Sequence, residues 1–254
     1  TVYVVGNLVH LPKVGDVKVK RHREPEANWV LKSATVSCTR SGKYFISLLY
    51  EFEKDIQSIK PTKETSLGLD YSSHDFYVDS NGNVANYPRF YRQSETKLAR
   101  AQRRLSRMQF GSHHYDKQLY RVRVLQEHTA NQRKNFCHTV STAIAKQYAH
   151  VCVEDLNMKA MSNKGFGNGK ATLDNGYGMF LKMLDYKLEE KGGSLVKVSK
   201  WFPSSQTCSC CGALHPEMKD LSIRTMRCSC GCKIDRDYNA AINIKKEGLR
   251  LLSA

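Results

Sequence analysis

Cys228-Ser229-Cys230-Gly231-Cys232-Lys233-Ile234-Asp235-Arg236-Asp237-Tyr238-Asn239-Ala240-Ala241 joins two kinds of chemistry in one short run. Its first half completes a cysteine cluster that opens at Cys208, Cys210 and Cys211. Six of the nine cysteines fall between Cys208 and Cys232. An odd total speaks against a closed disulfide framework, and dense cysteines of this kind point to a metal in a reducing compartment. Zinc is borderline soft and tetrahedral, so two short loops can present two sulfurs each. Gly212 and Gly231 permit the tight backbone turn that such a knuckle requires. The spacing predicts a closed, structural zinc site at Cys208, Cys211, Cys228 and Cys230. Cys232 competes with Cys230 for the fourth place, and Cys210 is left over. Cys38, Cys137 and Cys152 are expected to be ordinary buried thiols.

The second half of the run places Asp235 and Asp237 before a helix predicted from about Tyr238 to Leu252, with Ala240, Ala241 and Ile244 inward. Working outward, a strand at Ser194–Val198 leads into the cysteines, and a helix over 177–191 ends at Gly192-Gly193. Glu154 follows the buried-looking strand Val151-Cys152-Val153, and Asp70 ends the apolar segment Leu67-Gly68-Leu69. Two basic helices, about 92–108 and 115–149, lie between those acids. Residues 162–176 are rich in Gly, Asn and Lys and read as a mobile loop. Strands alternating with helices give an α/β main domain. Carboxylates at neighbouring strand ends of such a sheet converge on one edge, where together they can hold two Mg²⁺ ions.

Residues 1–60 read as β. A hairpin turns at Arg40-Ser41-Gly42-Lys43 in a small basic sheet or barrel, and a polar linker follows over 54–65. No leader peptide or membrane-length apolar run is read in the sequence, so a cytoplasmic, nucleoid-associated protein with no membrane partner is expected. Collagen-like, low-complexity and coiled-coil compositions are excluded. The 254 residues carry 40 Lys and Arg against 24 Asp and Glu, a formal charge of +16. A charge that large calls for a polyanion. Between Arg89 and Lys134 twelve Lys and Arg face three acids, more than half of the net charge. Pairing along a helix cannot neutralise that imbalance. Arg100, Arg103, Arg104, Arg107, Arg121, Arg123 and Arg133 are therefore candidate phosphate contacts.

Four segments, taken in order, resemble one family. They are Gly68-Leu69-Asp70, Val153-Glu154-Asp155-Leu156-Asn157, Phe202-Pro203-Ser204-Ser205-Gln206-Thr207-Cys208 with Cys211-Gly212, and Cys230-Gly231 running to Asp235-Arg236-Asp237-Tyr238-Asn239-Ala240-Ala241. Together they resemble TnpB (OrfB), the transposon-encoded RNA-guided nucleases related to type V CRISPR effectors. The resemblance implies an α/β, RNase H-like (RuvC) domain with an inserted zinc ribbon, preceded by a partial β-barrel (wedge) segment. Its parts would be 1–62 (wedge), 63–200 (first part of the nuclease domain), 201–234 (target-nucleic-acid-binding ribbon) and 235–254 (C-terminal helix). It implies a Mg²⁺-dependent endodeoxyribonuclease with Asp70, Glu154 and Asp237 as metal-binding catalytic acids, Asp235 being the fallback for the third. It further implies one structural Zn²⁺, a guide RNA, a target DNA, and Arg224 near the substrate strand. Members of the family are longer, so a longer homologous subunit or a homo-oligomer is an expected source of the N-terminal parts. The rival reading is a non-cleaving RNA- or DNA-binding form acting as a repressor or accessory subunit.

Overall fold

Strand β6 (Ser66–Ser72) is the centre of the molecule's main sheet. Its run Ser66-Leu67-Gly68-Leu69 is buried throughout, the pattern of a strand covered on both faces. It pairs antiparallel with β7 (Phe76–Asp79) and parallel with β8 (His150–Glu154), and β8 pairs parallel with β9 (Ser194–Val198). The resulting order is β7-β6-β8-β9. The computed structural model describes residues 1–163, 165 and 169–253.

The alternation of side chains along β6 and β8 decides which helices cover which face. Leu67, Leu69, Val151 and Val153 point into one cluster with Cys137 and Ile144 of α2 (His113–Gln147) and with Tyr177, Phe180 and Leu184 of α5 (Tyr177–Glu189). Cys152 and Val198 face the other way and meet Ile244 of α6 (Arg236–Leu252). On that second face the helix lies very close. A Cβ added to Gly68 would sit 2.2 Å from the Ala241 carbonyl oxygen, and one added to Gly248 would sit 2.2 Å from the Cys152 sulfur. Both glycines are there because the backbones touch. Gly68→Ala must push α6 off β6, so it is expected to lower stability by about 3 kcal/mol, read as a drop in the urea midpoint.

The chain falls into two units. Ile56–Thr96 with His128–Ala254 contains the four-stranded sheet, and Thr1–Asp55 with Lys97–Glu127 forms the other. In the latter, β1 (Tyr3–Val5), β2 (Leu8–Leu11) and β3 (Gly15–Lys18) form one antiparallel sheet, while β4 (Val30–Cys38) and β5 (Tyr44–Glu51) form a second. The hairpin turn is held by Lys43, whose ammonium donates to Glu127 of α2 at 2.9 Å. The expected barrel segment is thus two separate sheets, with no closed barrel among the described residues. Strands of three and four residues at β1–β3 are too short to wrap into one, and Pro25 interrupts the stretch before β4. Cys38 is exposed rather than buried, because it ends a two-stranded sheet, whereas Cys137 and Cys152 are buried.

The expected loop over 162–176 is corrected in part. Residues Gly169–Asn175 form α4, following the short α3 (Met158–Met161) and α1 (Phe90–Ser106) in the chain. Tertiary hydrogen bonds override the glycine-rich composition there. Asp174 is buried, its carbonyl accepts from the Tyr87 hydroxyl at 2.6 Å, and its carboxylate accepts from the Tyr91 N–H at 3.0 Å. Lys164 and residues 166–168 of that expected loop lie outside the described residues. Among the described residues, no helix is long and apolar enough to cross a membrane.

Candidate functional site

Asp70 is the fifth residue of β6 and Glu154 the last of β8, so parallel pairing of the two strands brings both to one edge of the sheet. Asp237 comes to the same place from the first turn of α6, the helix that lies across β6. The three acids line one cleft of about 440 Å³, together with Tyr71, Thr172, Ser204, Ser205, Arg224 and Arg236. Burial pushes the Asp70 carboxyl well above the usual aspartate range, and the charges of Asp237 and then Glu154 add to that push. Burial likewise raises Glu154. Carboxylates that share a cleft and are raised by burial favour a bound proton or cation there. Their all-oxygen donor set fits Mg²⁺, which binds through a few carboxylates and keeps several waters.

Asp235 does something different. It is the N-cap of α6, and its carboxylate accepts from the backbone N–H groups of Asp237 at 2.9 Å and Tyr238 at 3.1 Å. That satisfies two of the donors a helix start leaves unpaired. The capped turn then points Asp237 into the cleft, where its carboxylate accepts from the Arg224 guanidinium. Arg236, between the two acids, is buried and donates to the Asp220 carbonyl at 3.2 Å. Its charge and that of Arg224 oppose the rise at Asp70.

The cysteines lie on two backbone knuckles. In the first, the Gly212 N–H donates to the Cys208 carbonyl at 2.9 Å, and in the second the Gly231 N–H donates to the Cys228 carbonyl at 3.0 Å. Both glycines have positive φ, +81° and +87°. The sulfurs of Cys208, Cys211, Cys228 and Cys230 all lie within 4.8 Å of one another. Cys208 and Cys230 are 3.8 Å apart, and Cys211 and Cys228 are 3.5 Å apart. Two sulfurs bound to one tetrahedral zinc at ~2.3 Å are about 3.8 Å apart. The set therefore fits zinc in donor type and in spacing. The backbone N–H of Cys230, and then the His215 ring, draw the Cys228 thiol down to about 6, toward the metal-binding thiolate.

Sequence reading missed how this cysteine unit is fixed to the rest. Asn239 of α6 accepts from the Ser209 N–H at 2.9 Å and donates to the Thr207 carbonyl at 2.8 Å. One turn on, Asn243 donates to the Ser204 carbonyl at 2.8 Å and the Thr207 carbonyl at 2.6 Å. Asparagines four apart on a helix share a face, and that spacing was the available signal. It also missed Arg236, and the chain in which Asn175 donates to the Tyr71 hydroxyl and that hydroxyl donates to Thr172 at the cleft wall.

The candidate phosphate contacts divide by environment. Arg100, Arg103 and Arg104 of α1 and Arg107 just past its end are exposed, and they line a shallow cavity of about 510 Å³ with Met108. Arg121 and Arg123 of α2 are also exposed. Arg133 is turned inward. Its guanidinium donates to the carbonyl of buried Asp174 and lies 3.4 Å from that residue's carboxylate.

Two family models match the sequence. The OrfB model, described as "Probable transposase", matches residues 47–165, and one described as "Cas12f1-like, TNB domain" matches residues 177–244. The latter span takes in the cysteine knuckles and the first half of α6. Among curated proteins, the chain is similar to a "Putative RNA-guided DNA endonuclease" of Streptomyces pristinaespiralis. They are 33% identical over 217 residues, 85% of this chain and 53% of that relative. It is also similar to "Putative RNA-guided DNA endonuclease InsQ" of Escherichia coli K12, at 30% identity over 260 residues, 96% of this chain and 63% of that relative. The chain thus spans between half and two thirds of the length of these relatives. Among solved structures, it resembles the protein in "Cryo-EM structure of the Cas12f1-sgRNA-target DNA complex", with a TM-score of 0.53 at 19% identity. That match covers 80% of this chain and 42% of the other, and it is a likeness of fold.

Proposed function

The chain belongs to the OrfB (TnpB) family, and from that premise we propose that it is the catalytic portion of a metal-dependent DNA endonuclease directed by a guide RNA. The single observation that carries this reading is the meeting of Asp70, Glu154 and Asp237 on one cleft. In this reading the four-stranded sheet with α6 is an RNase H-like (RuvC) domain over 63–200 and 235–254, residues 201–234 are a zinc-ribbon insert, and residues 1–62 are part of a wedge.

Asp70, Glu154 and Asp237 bind the metals. Two Mg²⁺ ions there would activate a water and stabilise the leaving oxygen of a phosphodiester. Every other part of the work belongs to side chains that are always charged or simply placed. Arg224 and Arg236 bring fixed positive charge to the cleft margin, where a phosphate would otherwise meet three carboxylates. Cys208, Cys211, Cys228 and Cys230 hold a zinc that does no chemistry and keeps the ribbon folded. Arg100, Arg103, Arg104, Arg107, Arg121 and Arg123 hold backbone phosphates without reading bases.

The test is to purify the chain, sequence the nucleic acid that travels with it, and assay target DNA with that RNA in Mg²⁺. A discrete RNA of one origin and cleavage of matching DNA are expected. Binding without cleavage at any Mg²⁺ concentration would support the non-cleaving repressor or accessory form instead. Cleavage of branched DNA without RNA would point to an unguided nuclease.

A further inference from the structure

Cys210 and Cys232 belong to neither the cleft nor the four-sulfur set, yet the fold brings them together. Cys210 sits inside the first knuckle, between Cys208 and Cys211. Cys232 sits one residue past the second, where the Cys228 N–H donates to its carbonyl at 2.9 Å. Their sulfurs are 3.0 Å apart. That is shorter than the 3.8 and 3.5 Å separations within the zinc set, and shorter than the edge of about 3.8 Å that a shared zinc imposes. A metal held by this pair would also have to borrow Cys208, the nearest third sulfur, which the zinc set already uses. Cys210 is exposed and Cys232 half-buried, so a small reagent in solution reaches the pair, while the exposed members of the zinc set, Cys211 and Cys230, would be held by the metal.

We propose that Cys210 and Cys232 are a thiol-modification site, an oxidisable pair separate from the zinc ligands that closes to a disulfide across the two knuckles. The inference rests on the assignment of zinc to the other four cysteines. The oxidant is a small-molecule disulfide such as oxidised glutathione. The exposed Cys210 thiolate attacks one sulfur of that disulfide, forming a mixed disulfide and expelling one small thiolate. Cys232, already alongside, then attacks the Cys210 sulfur and expels the second. Two protein thiols are oxidised, one small disulfide is reduced to two thiols, and the two protons leave on those thiols. The bond would tie the first knuckle to the second without using a zinc ligand, so the metal stays in place.

The experiment treats the zinc-loaded chain, carrying Cys38→Ser to remove the other exposed thiol outside the zinc set, with oxidised glutathione. Zinc content and intact mass are measured on one unalkylated portion, and a second is alkylated under denaturing, non-reducing conditions to map linked peptides and free thiols. The expected product is lighter than the untreated, unalkylated chain by two hydrogen atoms, carries a Cys210–Cys232 linked peptide, and retains one zinc per chain. Cys232→Ser should stop at a glutathione adduct on Cys210 with zinc retained. Cys210→Ser should give neither adduct nor bond. A chain that holds one zinc but leaves both thiols free to alkylation overturns the pair while leaving the zinc assignment standing. A second zinc per chain, or loss of zinc in Cys232→Ser, overturns it in favour of a metal role for these thiols. A chain that holds no zinc overturns the assignment on which the inference rests.

Discussion

If the proposed function holds, Asp70→Asn is expected to leave DNA binding intact and to lower Mg²⁺-dependent cleavage on the order of 10³-fold or more, because it would remove a charged metal ligand while keeping the shape of the site. A rate assay under single-turnover conditions measures it. The same change should not weaken the fold. Asp70 is pushed up by burial and by two neighbouring acids, so its ionised form opposes folding. A carboxyl with a raised folded-state pKa binds its proton more tightly in the native state than in the unfolded chain. Its contribution is therefore fully present below the ordinary aspartate value of about 3.9 and is lost as pH rises toward the raised value. Without added Mg²⁺, the parent chain should lose stability over that rise, and Asp70→Asn should lose less. An Asn variant that cuts at the parent rate would mean that the acids have been misassigned.

Removing zinc is expected to have an effect as large on structure. The ribbon's own buried cluster consists of Cys208, Met218, Met226 and Cys228, too little apolar surface to fold this segment alone. Structural zinc sites contribute about 10–16 kcal/mol of apparent binding free energy at neutral pH. Cys228→Ser, or a strong chelator, should therefore abolish hydrogen-exchange protection across 201–235. Asn239 and Asn243 then lose the Ser209, Thr207 and Ser204 partners that hold the first turns of α6. Cleavage should fall with zinc loss even though no cysteine lines the cleft. Retained protection in 201–235 without zinc would overturn the structural role.

Much of this was legible because local and tertiary signals agree. The strand at Ser194–Val198 and the helix starting at Tyr177 stand where periodicity and the Gly192-Gly193 stop put them. Asp70 and Glu154, which the fold brings to one cleft, stood out in the sequence because each is an acid directly after a buried β run. The choice between Asp235 and Asp237 was open in the sequence, since either precedes the helix. Cap geometry separates them: the N-cap carboxylate turns back onto its own helix, and the residue two further on faces the cleft. What stayed hidden depends on partners far along the chain. Arg133 reads as one more cation of a basic helix until Asp174 is seen beneath it. The helix at Gly169–Asn175 forms against glycine-rich composition because Tyr87 and Tyr91 are there to bond it. The first strands alternate as barrel strands do, but their length, which sets closure, is not encoded in the alternation.

Parallel pairing of β6 with β8 has a consequence for the order in which the molecule assembles. Asp70, Glu154 and Asp237 are each more than eighty residues from the next, and they meet only when a central strand, its parallel neighbour and α6 have all docked. Contacts of such long sequence separation form late and slowly, after the local helices and hairpins. On the proposed reading, a chain still folding would have its arginine-rich helices formed before its three carboxylates are together, so that grip would precede the means to cut.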